Sequence, residues 1–266
     1  MMKIVVCIKQ VPQTTEVKID PETHTLIREG VDSQINPFDL YALEEGVRVK
    51  ERLEAEGEQS VVIALSMGPP QAEEALREAI SLGADEGILL SDRAFAGSDT
   101  WATSYALAKA IQKIEPQLVF CGMQAIDGDT GQVGPGIAVH LDYGQAAYVA
   151  KIELLDKRKI VVKRLLENGY ETVAVRLPAV LTVVKEINEP RTPSLRGKMN
   201  AKKAEIPIWK AADIGAPEDK IGLLGSPTQV IKVFCPPRRE GGEKWSGEAP
   251  ELADKLAELL KEMEVI

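Results

Sequence analysis

The sequence predicts an α/β protein with a doubly wound, mainly parallel sheet, added antiparallel strands and an extended C-terminal arm. Two patterns support this prediction. Up to about residue 141, short β-branched apolar runs alternate with amphipathic segments of helical length, which is typical of parallel βαβ units. After about residue 145, apolar and polar residues alternate singly, as in strands with one exposed face. The first pattern predicts a Rossmann-like sheet.

The first part of the chain therefore predicts four buried strands and the helices between them. The strands fall at residues 3–9, 60–68, 84–92 and 118–122. The helices fall at residues 35–57, 69–83 and 98–114, with another after the loop at 124–136. Between the first strand and the first helix, residues 15–31 predict a hairpin-like excursion, with Asp20-Pro21 as its turn.

The first helix carries start and stop signals. Asn36 is of a type that caps a helix, and Pro37 suits the first helical position. Asp39 favours the positive end of the helix dipole, and Gly57 suits its end. The simplest interpretation of Asp39 is therefore that it stabilises this helix start by about 0.3–1 kcal/mol.

The second part of the chain predicts antiparallel strands and then an arm. Alternating runs at residues 146–156, 159–169, 170–178 and 179–186 predict antiparallel strands joined to the edge of the sheet. Residues 187–230 are rich in Pro, Gly and Lys with little periodicity, so we expect them not to be buried in their own domain but to embrace a partner. A helix closes the chain from residue 249. The predicted domains are 1–187, a nucleotide-binding unit, and 188–266, the recognition loop and arm.

Composition excludes several function classes. The net charge is −9, which argues against nucleic acid as a partner because phosphate binding depends on Lys and Arg. No apolar run approaches the ~20 residues of a membrane span, and the apolar start is too short for a signal peptide, so we expect a cytoplasmic protein without a transmembrane segment. Cys7, Cys121 and Cys235 lack metal-site spacing and predict reduced, structural thiols. His24 and His140 have no nucleophile or metal partner nearby, which argues against hydrolase and zinc chemistry.

The loop at residues 124–136, QAIDGDTGQVGPG, holds the chemistry of a candidate site. It follows the fourth strand, where ligands bind in open parallel sheets. Glycines and a helix start favour phosphate, and Thr130 and Gln132 offer hydrogen bonds. Asp127 and Asp129 would repel phosphate, so we expect them to cap the helix or hold a sugar hydroxyl. A tight turn with a cap is the alternative. Neither a P-loop nor a GxGxxG fingerprint is present, so the residues predict an adenine-nucleotide-sized ligand and no named reaction.

Four segments in order along the chain resemble the beta (small) subunit of electron-transfer flavoproteins. They are INPFDLYALEE at 35–45, ALSMGPPQAEEALREAISLGAD at 64–85, the loop at 124–136, and LPAVLTVVKEINEPRTPSLRGKMNAKK at 177–203. The resemblance implies a heterodimer with an alpha subunit and an adenine nucleotide in this chain. The implied nucleotide contacts are Cys7, Asn36, Pro37, Phe38, Asp39, Met67, Gln124, Asp127, Gly128, Asp129, Thr130, Gly131, Gln132, Val133, Gly134 and Pro135.

Two further segments resemble the flavin-bifurcating branch of that family, as does Asp39. They are LSDRAFAGSDTWATSYALAKAI at 90–111 and IGLLGSPTQVIKVF at 221–234. In that branch the nucleotide is FAD, which takes hydride from NADH; in the common branch it is a structural AMP. The hydroxyls of Ser98, Thr100 and Thr103 are expected to meet the polar edge of the flavin ring, and Arg93 is expected near the flavin or nicotinamide phosphates.

Each of these candidates has a plainer structural alternative. Residues 98–100 fit equally well as the cap of the next helix, with Asp99 inside its first turn. Arg93 fits equally well as a charged loop residue exposed to solvent. Cys7 and Met67 serve equally as core residues.

The function implied by the resemblance is electron transfer between protein partners. One electron from NADH would pass through the alpha-subunit FAD to an acyl-CoA dehydrogenase or similar enzyme, and the other to ferredoxin or flavodoxin. Leu195 would anchor the dehydrogenase, unless it tucks back on its own domain. The alternatives are a non-bifurcating beta subunit with AMP, and a nucleotide-binding regulatory module of the universal-stress type.

Overall fold

A computed structural model of the chain describes residues 1–13, 33–231 and 241–266. The strands in these ranges are β1 (Met2–Cys7), β2 (Gln10–Pro12), β3 (Ser33–Ile35), β4 (Ser60–Met67), β5 (Glu86–Leu90), β6 (Leu118–Gly122), β7 (Gly144–Leu155), β8 (Lys159–Leu166), β9 (Gly169–Arg176), β10 (Ala179–Val183) and β11 (Ile208–Trp209). The α-helices are α1 (Pro37–Ala55), α2 (Glu73–Ser81), α3 (Thr100–Ile114), α4 (Val133–Leu141), α5 (Leu195–Lys203) and α6 (Ala249–Glu262). The excursion predicted at 15–31, His24 and Cys235 lie outside the described residues.

One nine-stranded sheet carries the fold, in the order β11-β5-β4-β1-β6-β10-β7-β8-β9. Its first seven strands pair in parallel, and β8 and β9 extend it antiparallel. Alternate residues of β1 belong to different clusters: Ile4 and Val6 pack with α1 and α2, whereas Val5 and Cys7 pack with α3 and α4. The sheet is therefore covered on both faces, and the prediction of a doubly wound, mainly parallel fold is confirmed.

The prediction that β10 is an antiparallel edge strand is wrong. It lies between β6 and β7 and is parallel to both. All five of its residues are buried, because helices cover both faces at this central position. A continuous apolar run is what a strand in such a position requires, and the run AVLTV satisfies that requirement better than an alternating edge pattern would.

The prediction that residues 187–230 stay unburied in their own domain is also wrong over much of their length. This segment contains α5 and β11, and β11 extends the sheet beyond β5. Ala201, Ala211, Ile214 and Ile221 are buried against the domain. These small or singly spaced apolar residues give no visible periodicity, which is why the sequence predicts irregular structure. The functional division at residue 188 stays a prediction.

The C-terminal helix differs from the others in its burial. No residue of α6 is buried, and Leu256, Leu259 and Met263 are exposed. None of the helices in the described ranges combines the length and the hydropathy that crossing a bilayer demands. The helix α6 thus presents an apolar face without a covering layer from the described part of the chain.

Candidate functional site

The candidate site lies at the carboxyl edge of the parallel strands. Cys7, at the end of β1, is in register with Leu65 of β4 on one side and with Cys121 of β6 on the other. Three strand ends therefore meet at one edge, as the loops after them must also do. This is the edge at which open parallel sheets bind ligands.

Asn36 joins the start of α1 to the glycine-rich loop. The prediction that it caps α1 with its side chain is wrong, because that side chain makes no capping hydrogen bond. Its Nδ2 donates to the Gln124 carbonyl at 2.9 Å, and its Oδ1 accepts from the Ile126 amide at 3.1 Å. The side chain is fully buried. The loop after β6 is thus fixed at its beginning by two hydrogen bonds of one amide.

Asp39 joins the ends of β1 and β6 from within the first turn of α1. Its Oδ2 accepts from the Lys9 amide at 2.8 Å and its Oδ1 from the Gly122 amide at 3.2 Å. Burial raises the pKa of this carboxyl from 3.8 to about 7, against these hydrogen bonds, which act to lower it. Asp39 therefore does more than interact with the helix dipole, because its carboxylate accepts hydrogen bonds from two backbone amides of the site.

Gly122 permits that close approach. A Cβ at this position would lie 2.4 Å from Oδ1 of Asp39 and 2.7 Å from the Phe38 carbonyl carbon, which is far inside contact distance. The first turn of α1, with Pro37 and Phe38, can therefore sit directly against the end of β6 only when residue 122 is glycine.

The acidic residues of the loop already have partners. Asp127 accepts from Lys9 Nζ at 2.6 Å, and Asp129 accepts from Gln124 Nε2. The prediction that they cap the following helix is wrong, since α4 has Gln132 at its N-cap position and no side-chain cap. Lys9 and Gln124 thus hold the two carboxylates and reduce their repulsion of an anion at the loop.

The start of α4 supplies the donors of the site. Val133 and Gly134 open the helix, and the first amides of any α-helix lack partners within it. Pro135 follows, which has no amide hydrogen to satisfy. Gly131 has φ +63°, a left-handed conformation that glycine adopts without strain. Gly128, Thr130 and Gln132 are exposed, so the loop face is accessible.

Beyond β5, the two segments that resemble the bifurcating branch pack against each other. We call this surface, formed by residues 90–111 and 221–231, the second wall of the candidate site; the glycine-rich loop after β6 is the first. Asp99, at the N-cap of α3, accepts from the Trp101 and Ala102 amides, so the prediction that it lies inside the first turn is wrong. It also accepts from the Thr228 amide and hydroxyl. The Ser98 hydroxyl donates to the Phe95 carbonyl and accepts from the Gly222 amide. The bond to Phe95 already uses the hydrogen of this hydroxyl.

The other candidates differ in exposure. Arg93 is exposed, and Thr100 and Thr103 are half-buried at the start of α3. Met67 is half-buried at the end of β4 and packs on the core that contains buried Cys7. Cys7 and Cys121 are free thiols; the hydrogen bond between them and burial raise the pKa of the Cys121 thiol well above its ordinary value.

Sequence reasoning missed three contributors to this site. Lys9 and Gly122 lie just outside the loop motifs, at the ends of strands, and their partners are distant in sequence. Thr228 gives no local signal at all. The described residues contain no group of three or more His, Cys, Asp or Glu side chains that would hold a metal ion.

The fold is that of a doubly wound α/β protein, and its candidate ligand site lies at the carboxyl edge of the parallel strands. A family model described as "Electron transfer flavoprotein domain" matches residues 23–214. The chain is 51% identical to the electron transfer flavoprotein subunit beta of Thermoanaerobacterium thermosaccharolyticum over the full length of both chains. It is also 51% identical to the caffeyl-CoA reductase-Etf complex subunit CarD of Acetobacterium woodii over 100% of both. Protein FixA of Azorhizobium caulinodans is 47% identical, covering 90% of this chain and 86% of its own.

The chain therefore belongs to the electron transfer flavoprotein family and is a beta subunit. The resemblance of the four sequence segments to the beta subunit of electron-transfer flavoproteins is confirmed. The alternative of a universal-stress-type module is wrong.

Proposed function

We propose that this beta subunit is a cytoplasmic electron carrier that binds FAD at the carboxyl edge of its sheet and bifurcates electrons from NADH. One electron passes to ferredoxin or flavodoxin, and the other passes through the FAD of the alpha subunit to an acyl-CoA dehydrogenase or related enzyme. The observation that carries the proposal is the glycine-rich loop after β6, which is held by Asn36 and whose two carboxylates are bound by Lys9 and Gln124.

The residues present fit the phosphate part of such a ligand. The amides at the start of α4 and the glycines at 128 and 131 offer backbone donors without side-chain bulk. The two acidic side chains of the loop are held by Lys9 and Gln124. An anion at this place would meet donors and the positive end of a helix, which is the usual chemistry of phosphate sites.

The choice of FAD over AMP rests on the second wall. Residues 90–111 and residues 221–231, which lie in the two segments that resemble the bifurcating branch, contact each other. Gly222 lies so close to the Ala94 carbonyl that a Cβ would be 2.2 Å from its oxygen, and a Cβ on Gly97 would be 3.2 Å from the Leu223 Cβ. This tight packing without bulk supports a surface for a ring beyond the adenine nucleotide. Thr100 and Thr103 are the proposed hydroxyl contacts, and Arg93 is proposed to meet phosphate.

A bound flavin supplies the chemistry, because it accepts a hydride and releases electrons singly. The protein residues orient that cofactor and set the charge around it. Asp39 holds the strand ends, Asn36 holds the loop, and the small residues at 94, 96 and 97 leave access from the solvent side. None of these side chains is required as a nucleophile.

The nucleotide count tests this proposal. The heterodimer is purified and denatured, and the released nucleotides are quantified by chromatography. We expect two FAD per heterodimer. One FAD and one AMP would refute bifurcation and support the non-bifurcating alternative, in which AMP is structural. A complex without a purine nucleotide in this chain would refute both.

The alpha subunit is the proposed partner of the C-terminal arm. Leu256 and Leu259 of α6 and Met263 just after it remain exposed, and burial of such an apolar face is worth about 1.5–3 kcal/mol per large side chain. Deleting residues 249–266 should therefore weaken the heterodimer while leaving the sheet intact, as measured by size-exclusion chromatography and circular dichroism. An unchanged heterodimer would argue against this role of the arm.

Leu195 is the proposed anchor for the dehydrogenase. Its side chain is 82% exposed at the first position of α5, which contradicts the alternative that it tucks back on its own domain. The name of the Acetobacterium woodii relative links an electron-transfer flavoprotein subunit with a caffeyl-CoA reductase, which supports a partner acting on CoA thioesters. We expect Leu195→Ala to weaken dehydrogenase docking without changing NADH oxidation by other acceptors. Leu154→Ala, at a half-exposed leucine of β7, serves as control; equal docking by both variants would refute the assignment.

A further inference from the structure

We propose that Tyr148 is a further nucleotide-binding residue, whose hydroxyl donates a hydrogen bond to a phosphate oxygen of the ligand on the loop after β6. This inference rests on the proposed function and adds a residue to its site. Tyr148 lies in β7, more than ten residues from the loop in sequence, and no motif marks it.

A β-bulge places Tyr148 at the carboxyl end of β10. In the β10–β7 pairing, Leu181 faces Ala146, whereas Val183 faces Val149. Thr182 alone therefore faces two residues of β7, Ala147 and Tyr148. Bulges of this kind turn a side chain away from its regular direction and are frequent beside functional sites.

The backbone of Tyr148 has an unusual conformation that its surroundings support. Its φ is +59°, in the left-handed region that bulky residues rarely adopt. The Tyr148 amide donates to Oγ1 of Thr182 at 3.1 Å, and Thr182 is buried. Such strain persists where the neighbouring structure enforces it, and it is concentrated at functional sites.

Thr182 also connects this bulge to the start of α4. A Cβ on Gly134 would lie 2.5 Å from the Thr182 methyl carbon, so the first turn of α4 rests directly on Thr182. One buried side chain thus fixes both the bulge that carries Tyr148 and the helix start that offers amides to an anion. Their relative position is set by packing on both sides of Thr182.

The Tyr148 hydroxyl reaches the glycine-rich loop. A Cβ on Gly131 would lie 4.0 Å from the phenol oxygen, so the hydroxyl lies beside the left-handed glycine of the loop. Within the described ranges this hydroxyl makes no hydrogen bond, and the side chain is 40% exposed. A phenol is an uncharged donor that can face a phosphate without a counter-charge. The available donor and its position beside the loop indicate a phosphate contact.

The test compares AMP with adenosine, which lacks the phosphate, on the heterodimer stripped of nucleotide. Tyr148→Phe removes only the hydroxyl. We expect it to weaken AMP binding about tenfold and to leave adenosine binding unchanged, as measured by calorimetry. Tyr170→Phe is the matched control, because Tyr170 is an exposed tyrosine of β9 away from the loop.

Each alternative result decides the question. AMP affinity within twofold of the unmodified protein would overturn the inference, and so would equal weakening of AMP and adenosine, since the latter indicates a general disturbance. Tyr148→Asn, which tolerates the left-handed backbone, should lose the same phosphate selectivity and checks that folding is not the cause. If the unmodified heterodimer binds neither AMP nor FAD in this chain, the proposed function itself fails; if it binds them and Tyr148→Phe has no effect, only the role of Tyr148 is refuted.

Discussion

Replacing Asp39 by asparagine should change how the stability of this chain depends on pH. The Asp39 carboxyl is buried and binds the amides of Lys9 and Gly122. Burial raises its pKa from 3.8 to about 7. The folded state therefore binds the proton more tightly than the unfolded state between these two pH values.

The sign and the size of the effect follow from this difference. A raised carboxyl pKa contributes stability that is complete below pH 3.8 and is lost as the pH rises toward 7. Each pH unit in that window costs about 1.4 kcal/mol, so the loss over the whole window is about 4 kcal/mol. This is a large share of the ~5–15 kcal/mol by which a typical domain is stable. Asparagine has no titration and should remove the slope.

The assay is urea unfolding of the chain and of Asp39→Asn at pH 5.5, 6.5, 7.5 and 8.5. The variant leaves one amide without an acceptor, which adds a pH-independent cost of about 1–3 kcal/mol to the effect of the lost titration. The difference between the two proteins should therefore change by about 1.4 kcal/mol per pH unit below pH 7 and become constant above it. Two parallel pH profiles would refute the reasoning, because they would show that Asp39 does not titrate in this window.

Three other substitutions test the packing around the site. Gly122→Ala places a Cβ 2.4 Å from the Asp39 carboxylate and should cost about 1–3 kcal/mol, seen as a lower urea midpoint; an unchanged midpoint would contradict the close approach. Asn36→Ala removes both hydrogen bonds that hold the loop, so limited proteolysis should cut residues 124–132 faster, and equal rates would contradict it. Arg191 forms ion pairs with Glu44 and Glu51, so Arg191→Met should lower the unfolding free energy measured in urea by about 1–3 kcal/mol, between the values of exposed and buried ion pairs; an unchanged value would contradict it.

The central sheet was predictable because its signals are local. The apolar runs that form β1, β4, β5 and β6 are continuous, and glycines at 57 and 83 mark the ends of the helices α1 and α2. The errors occurred where tertiary position decides the outcome. The run AVLTV became a parallel central strand because α-helices cover both of its faces, and residues 187–230 pack on the sheet through small residues that show no period.

The candidate site was predictable in its loops but not in its connections. The glycine-rich loop and Asn36 are visible as motifs, yet the hydrogen bonds of Asn36 join residues 88 and 90 positions apart. Tyr148 depends on a bulge that is set by its pairing with Thr182. A sequence pattern marks which residue types occur after a strand, whereas the three-dimensional register decides which distant side chains meet them.

The ion pairs of Arg191 explain how the proposed docking segment is held in place. Arg191 binds Glu44 at 2.7 Å and Glu51 at 2.6 Å, and the Glu44 side chain is only 4% exposed.

In Arg191→Met, Glu44 would remain buried with less compensation for its charge. Adding Glu44→Gln should therefore recover part of the lost stability, whereas Lys151→Met, at an exposed pair, should change it by less than about 0.5 kcal/mol. Because α1 carries both Glu44 and Asp39, the same helix holds the candidate site at its first turn and the segment before Leu195 farther along. A double variant no more stable than Arg191→Met alone would show that the buried charge is not what the arginine stabilises.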